Sequence, residues 1–177
     1  MTKILGIIIA LLTKPSVINL VLVLQVVTFC FFPVVLWRGL SNDEQVALST
    51  TAQANMCGIS VEEFNLMSAV TEAESDRSDN LEAKVFVAMT IWNRVNSDDW
   101  PDTVTGVITQ SGQFQVYYEG TYKDVGSNSL SDQAVVEAYI RIQEGNAPNV
   151  IYFNCIGYNG LGTPYACIGG NYFSTVP

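Results

Sequence analysis

Apolar and polar positions divide the chain into an uncharged front, a periodic middle and a short alternating end. Val17 to Trp37 runs 21 residues without a charge, with Pro33 its only strong breaker, a length that spans a bilayer. A shorter apolar run, Ile4 to Leu12, stops before Lys14-Pro15 and is too short to cross alone. Ser41 to Cys57 then reads as a polar helix, opened by Ser41-x-x-Glu44 and ended by Gly58, suited to a stalk. A second helix starts at Ser60 with Glu63 completing a capping box, and Leu66, Met67, Val70 and Ala73 recur at three and four as a half-buried stripe. A third, from about Asp79 to Val95, carries VFVAMTIW, apolar on every side, and predicts the central core helix. A fourth, Ser129 to Glu144, sets Leu130, Ala134, Val135, Ala138 and Ile142 on one face before Gly145. Between the last two lies a Gly/Tyr/Ser-rich loop, Gln110 to Asn128, of a length that usually carries function. Beyond Gly145, Val150–Phe153 and Asn171–Ser174 predict a small β-hairpin joined by a glycine-rich connection.

A length of 177 residues allows one ordinary domain. Composition sharpens the picture at the front of the chain: 49% of residues are hydrophobic and only 14% charged, against roughly a quarter charged in an ordinary soluble domain. The expectation is an uncleaved membrane anchor. A cleaved signal peptide is the rival, although its apolar core would be shorter and no small-x-small site follows Trp37 closely. Lys3 and Lys14 precede the span, so the positive-inside bias places the N-terminus in the cytoplasm and the rest outside.

All 17 acidic residues lie from Asp43 onward, where only five basic residues accompany them. Such a surface repels phosphate backbones and argues against nucleic acid as a partner. The absence of histidine excludes Ser-His-Asp and Cys-His nucleophiles and HExxH zinc sites. Neither a metal nor a cofactor is expected. Cys57, Cys155 and Cys167 show no zinc-ligand spacing; Cys155 and Cys167 could be bridged across a short loop, or could be two small buried thiols.

Chemistry is therefore left to carboxylates, hydroxyls and thiols, and the end of the second helix concentrates carboxylates. Glu72 shares a face with Asn65, Ser68 and Asp76, and Glu74, Asp76 and Asp79 follow closely. Crowded like charges favour the protonated form, which is what a general acid requires. A solvated helix terminus is the plain alternative. A calcium loop fits less well, because Asp76-x-x-Asp79-x-x-Glu82 lacks alternating ligands and a central glycine.

An ordered series of motifs adds to this reading: Glu72-Ala73-Glu74, Asn93-Arg94-Val95, Pro101 to Ile108, Gly112-Gln113-Phe114, and a terminal YF…GTP…G..YFS pattern from Tyr152 to Ser174. The series resembles the cell wall hydrolase family that includes the spore cortex-lytic enzymes, over about residues 60–174. The resemblance implies an α+β, mainly α, lysozyme-like catalytic domain with a small sheet beside a groove for the glycan strands of peptidoglycan. Together with the hydropathy pattern this divides the chain into 1–38 as anchor or signal sequence, 39–59 as stalk helix or linker and 60–177 as the catalytic domain that the resemblance implies. The resemblance places the catalytic acid at Glu72, cleaving the β-1,4 bond after N-acetylmuramic acid as a lytic transglycosylase, with muramidase-type hydrolysis and a non-catalytic wall-binding or structural envelope role as alternatives. Many relatives have Arg-Gly-Glu where this chain has Glu74-Ser75-Asp76. Gln113, Asn93 and Glu74 are then candidate hydrogen-bonding contacts, and Tyr117, Tyr152, Tyr158 and Tyr172 candidate stacking surfaces, with core packing the alternative for each ring. Phe114 is expected to pack beneath the loop.

Overall fold

The computed structural model describes residues 42–75 and 79–176. The predicted span at Val17–Trp37 lies outside them, and among the described residues no helix is long and apolar enough to cross a membrane. The chain divides into two compact units, Met1–Leu48 and Ser49–Pro177; the second carries the fold described below.

Helix α1, Asn42–Cys57, matches the predicted stalk helix in extent. Its last turn is not merely a stalk, because Ala54 and Cys57 are buried in the core, and burial pushes the Cys57 thiol up to about 11. Helix α2, Val61–Glu74, begins at the predicted cap: the Ser60 hydroxyl accepts the Glu63 N–H at 3.1 Å and the Glu63 carboxylate accepts the Ser60 N–H at 3.5 Å. Phe64, Met67 and Val70 bury its apolar stripe, at roughly 1.5–3 kcal/mol per side chain. Helix α3, Leu81–Val95, is capped by Asn80 and is buried from Ala83 through Arg94 without a break. It is the axle of the domain, as its VFVAMTIW stretch, apolar on every side, predicts.

The loop region is more ordered than its composition suggests. It holds α4, Val104–Ile108, just before it, and α5, Gln115–Glu119, and α6, Thr121–Val125, within it. Phe114 is fully buried beneath them, as expected. Helix α7, Ser129–Gln143, packs Ala134, Val135 and Ala138 onto α3, and the Trp92 indole N–H donates to the Val135 carbonyl at 3.1 Å.

The C-terminal pieces form a three-stranded antiparallel sheet rather than a hairpin: β1 (Val150–Asn154), β2 (Thr163–Ile168) and β3 (Asn171–Thr175), in the order β1-β3-β2. The two predicted strands do pair, Phe153 opposite Phe173. The extra strand β2 comes from the glycine-rich connection, where alternation is too short to read. Gly169 and Gly170 make its two-residue turn with φ of 59° and 86°, and a Cβ on Gly169 would lie 2.4 Å from the Ala83 Cβ. That turn is consequently held against the start of α3.

Candidate active site

The end of α2, the loop before α5, and the ends of β1 and β3 enclose a groove of about 910 Å³. Ala73 and Glu74 come from α2, Ser111 to Gln113 from the loop, Gln115 and Tyr118 from α5, and Phe153 to Ile156 and Gly169 to Asn171 from the sheet and its ends. Among the described lining residues Glu74 is the only ionisable carboxylate. Burial pushes its carboxyl up to about 7; the nearby Glu119 adds to the shift, while the Val116 backbone N–H pulls against it by bonding the charged form. The Asn171 amide donates to the Glu74 carbonyl at 3.1 Å, tying the helix end to β3.

Glu72 is placed elsewhere. It is 5% exposed, does not line the groove, and its Oε2 lies 2.8 Å from Nζ of the fully buried Lys84. The contact is an ion pair whose angles fall short of a directed hydrogen bond. Two residues on a helix are about 200° apart, so only one of the two glutamates can face the groove, and it is Glu74.

The other candidates separate in the same way. Gln113 lines the groove. Asn93 does not: it donates to the carbonyls of Pro148 and Val150 at 3.1 and 2.9 Å and bolts α3 to β1. Tyr117 stacks on Tyr122, and Tyr152 meets Trp100 edge-on, both half-buried and away from the groove lining. Tyr158 and Tyr172 pack against each other outside it. The aromatic hydroxyl that does line the groove is Tyr118, 53% exposed, its O–H donating to the Thr109 carbonyl at 2.6 Å. Sequence reasoning passed over Tyr118, Asn154 and Asn171; their positions depend on helix and strand ends folded from the loop and the glycine-rich connection.

Asn154 and Cys167 flank Tyr172 from the two neighbouring strands. Cys155 and Cys167 are both free, and both are exposed rather than buried. No group of three or more metal-ligating side chains gathers among the described residues.

A mainly helical domain with a three-stranded sheet, and a groove offering one proton-holding acid among amides, hydroxyls and an aromatic ring, defines the class of site that suits a neutral, hydroxyl-rich chain. Residues 78–158 match the family model described as Cell Wall Hydrolase. Among solved structures it is similar to the catalytic domain of the germination-specific lytic transglycosylase SleB from Bacillus anthracis, with 26% identity and a TM-score of 0.55 over 67% of this chain and 98% of that one. It is also similar to the catalytic domain of Bacillus cereus SleB, with 26% identity and a TM-score of 0.53 over 66% of this chain and 91% of that one. No curated protein matches the chain.

Proposed function

We propose that this domain cleaves the glycan strands of peptidoglycan at the β-1,4 bond after N-acetylmuramic acid, with Glu74 as the catalytic acid. The observation that carries the reading is the position of Glu74: it lines the groove and is held protonated up to about pH 7 by burial. Its proton passes to the glycosidic oxygen as the C1–O bond breaks and an oxocarbenium-like centre develops. The muramic 6-hydroxyl then attacks C1, its proton returns to the Glu74 carboxylate, and a 1,6-anhydromuramic end is left. One carboxyl group suffices for this sequence, in keeping with the single carboxylate in the described lining. Gln113, Asn154 and Asn171 offer amides to the acetamido and hydroxyl groups, and Tyr118 a ring to a sugar face.

Hydrolysis is the second reading: Glu119 is near enough to add to the upward shift of Glu74, and a second carboxylate is what activation of a water requires. The two are separated by incubating the full chain with insoluble peptidoglycan and weighing the products by mass spectrometry. Anhydro ends support transglycosylation; reducing ends support hydrolysis. Glu74→Gln is expected to lower fragment release by at least ~10²-fold, with co-sedimentation on peptidoglycan retained, whereas Glu72→Gln, which leaves the Glu74 carboxyl in place, is expected to lower it by less. Unchanged cleavage by Glu74→Gln overturns the assignment, and binding by the parent chain without release of fragments turns the domain into a wall-binding module.

A further inference from the structure

Lys84 is the least expected residue of the core. It is 0% exposed, a state lysine rarely adopts unless paired, and it sits in the first turn of α3, where a cation opposes the helix dipole. Its Nζ is 2.8 Å from the Glu72 carboxylate and donates to the Ser75 hydroxyl at 3.1 Å. Both partners belong to the end of α2, whose unpaired carbonyls favour a positive charge. The Ser75 hydroxyl in turn reaches the carbonyls of Thr71 and Glu72 at 2.8 and 3.1 Å. Ala73 and Glu74, the two α2 residues that line the groove, lie between these anchor points, and Asn171 holds the Glu74 carbonyl from the sheet.

We propose that Lys84 is a positioning residue for Glu74: reaching across from α3, its ammonium clamps the last turn of α2 at Glu72 and Ser75 and so aims the Glu74 carboxyl into the groove. The inference rests on reading Glu74 as the acid. A buried ion pair contributes little net stability, because desolvation offsets the attraction; what it supplies here is a fixed geometry at a helix end that would otherwise fray. Proton donation is sensitive to that geometry, since a displacement of about 1 Å can cost on the order of 10² in rate.

The test compares Glu72→Gln with Glu72→Gln/Lys84→Met in the full chain. The double variant strands no buried charge, and the comparison isolates the contact between Lys84 and Ser75. Fragment release at saturating peptidoglycan is expected to fall at least about tenfold from the single to the double variant. The half-saturating amount of peptidoglycan stays within about twofold and the alkaline limb of the pH profile stays near pH 7, because neither the groove wall nor the neighbours of Glu74 change. A folded double variant that releases fragments as fast as Glu72→Gln overturns the proposal, as does a loss confined to the half-saturating amount. Ser75→Ala removes the acceptor without touching a charge and covers the case of a double variant that does not fold. Its release is expected to drop by at least about threefold in the saturated rate alone, and wild-type release overturns the clamp. Cleavage surviving Glu74→Gln would instead defeat the underlying reading. Glu74→Gln inactive beside a fully active double variant defeats only the role of Lys84.

Discussion

At the residue scale, Glu74 carries the argument because it interrupts a core stripe. It lies seven residues after the fully buried Met67, within about 20° of it on the helix, so its carboxyl emerges from the apolar side of α2. A carboxylate at the end of a buried stripe is the signal that spacing alone could have supplied; reasoning from the Glu-Ala motif led to Glu72 instead. The same burial makes a stability prediction. The folded-state value of about 7 lies above the ordinary carboxylate range, so Glu74 costs the fold nothing below that range, and stability is lost progressively as pH rises from it through about 7. Glu74→Gln is accordingly expected to raise the thermal midpoint at pH 8, by the equivalent of about 1–2 kcal/mol, and to leave it unchanged at pH 4. Melts of both proteins at the two pH values check this; an equal shift at both would assign the gain to packing.

At the scale of elements, α2 is fixed on three sides by polar contacts that its hydrophobic pattern does not reveal. Lys84 of α3 and Asn171 of β3 hold its end, and α7 holds its middle. The Ser68 hydroxyl lies 2.8 Å from that of Ser131 and 2.5 Å from the Asp132 carboxylate, to which it donates. Burial raises Asp132, with the Ser68 bond opposing the shift. Ser68→Ala leaves Asp132 without this donor, and a loss of about 1–3 kcal/mol is expected. Urea unfolding followed by circular dichroism measures it; the midpoint should fall with the slope unchanged. The elements themselves were legible where periodicity is long: α2, α3 and α7 start within two residues of their predicted caps. The five-residue helices α4, α5 and α6 and the strand β2 were not, because so few residues carry no resolvable period and tertiary packing decides their state.

At the scale of the whole molecule, the apolar run Val17–Trp37 lies outside the described residues and leads to a topology test. If the run spans a membrane with Lys3 and Lys14 before it, protease added to intact cells is expected to remove residues beyond about Gly39; full protection of the C-terminal unit would overturn that topology. What the sequence determined by itself is what short-range physics controls: the capping box at Ser60, the core helix built on an apolar VFVAMTIW stretch, the restriction of chemistry to carboxylates, hydroxyls and thiols in a chain without histidine, and the ordered motifs that resemble the cell wall hydrolases. Only the tertiary structure decided which of two glutamates at one helix end faces the groove, which rings pack and which line it, and where the connection before Gly169 becomes a strand. The reason is the helix geometry itself. Glu72 and Glu74 are neighbours in sequence but about 200° apart around the axis, and the face given to solvent or to the core depends on residues 12 and 97 positions away, Lys84 against Glu72 and Asn171 against Glu74.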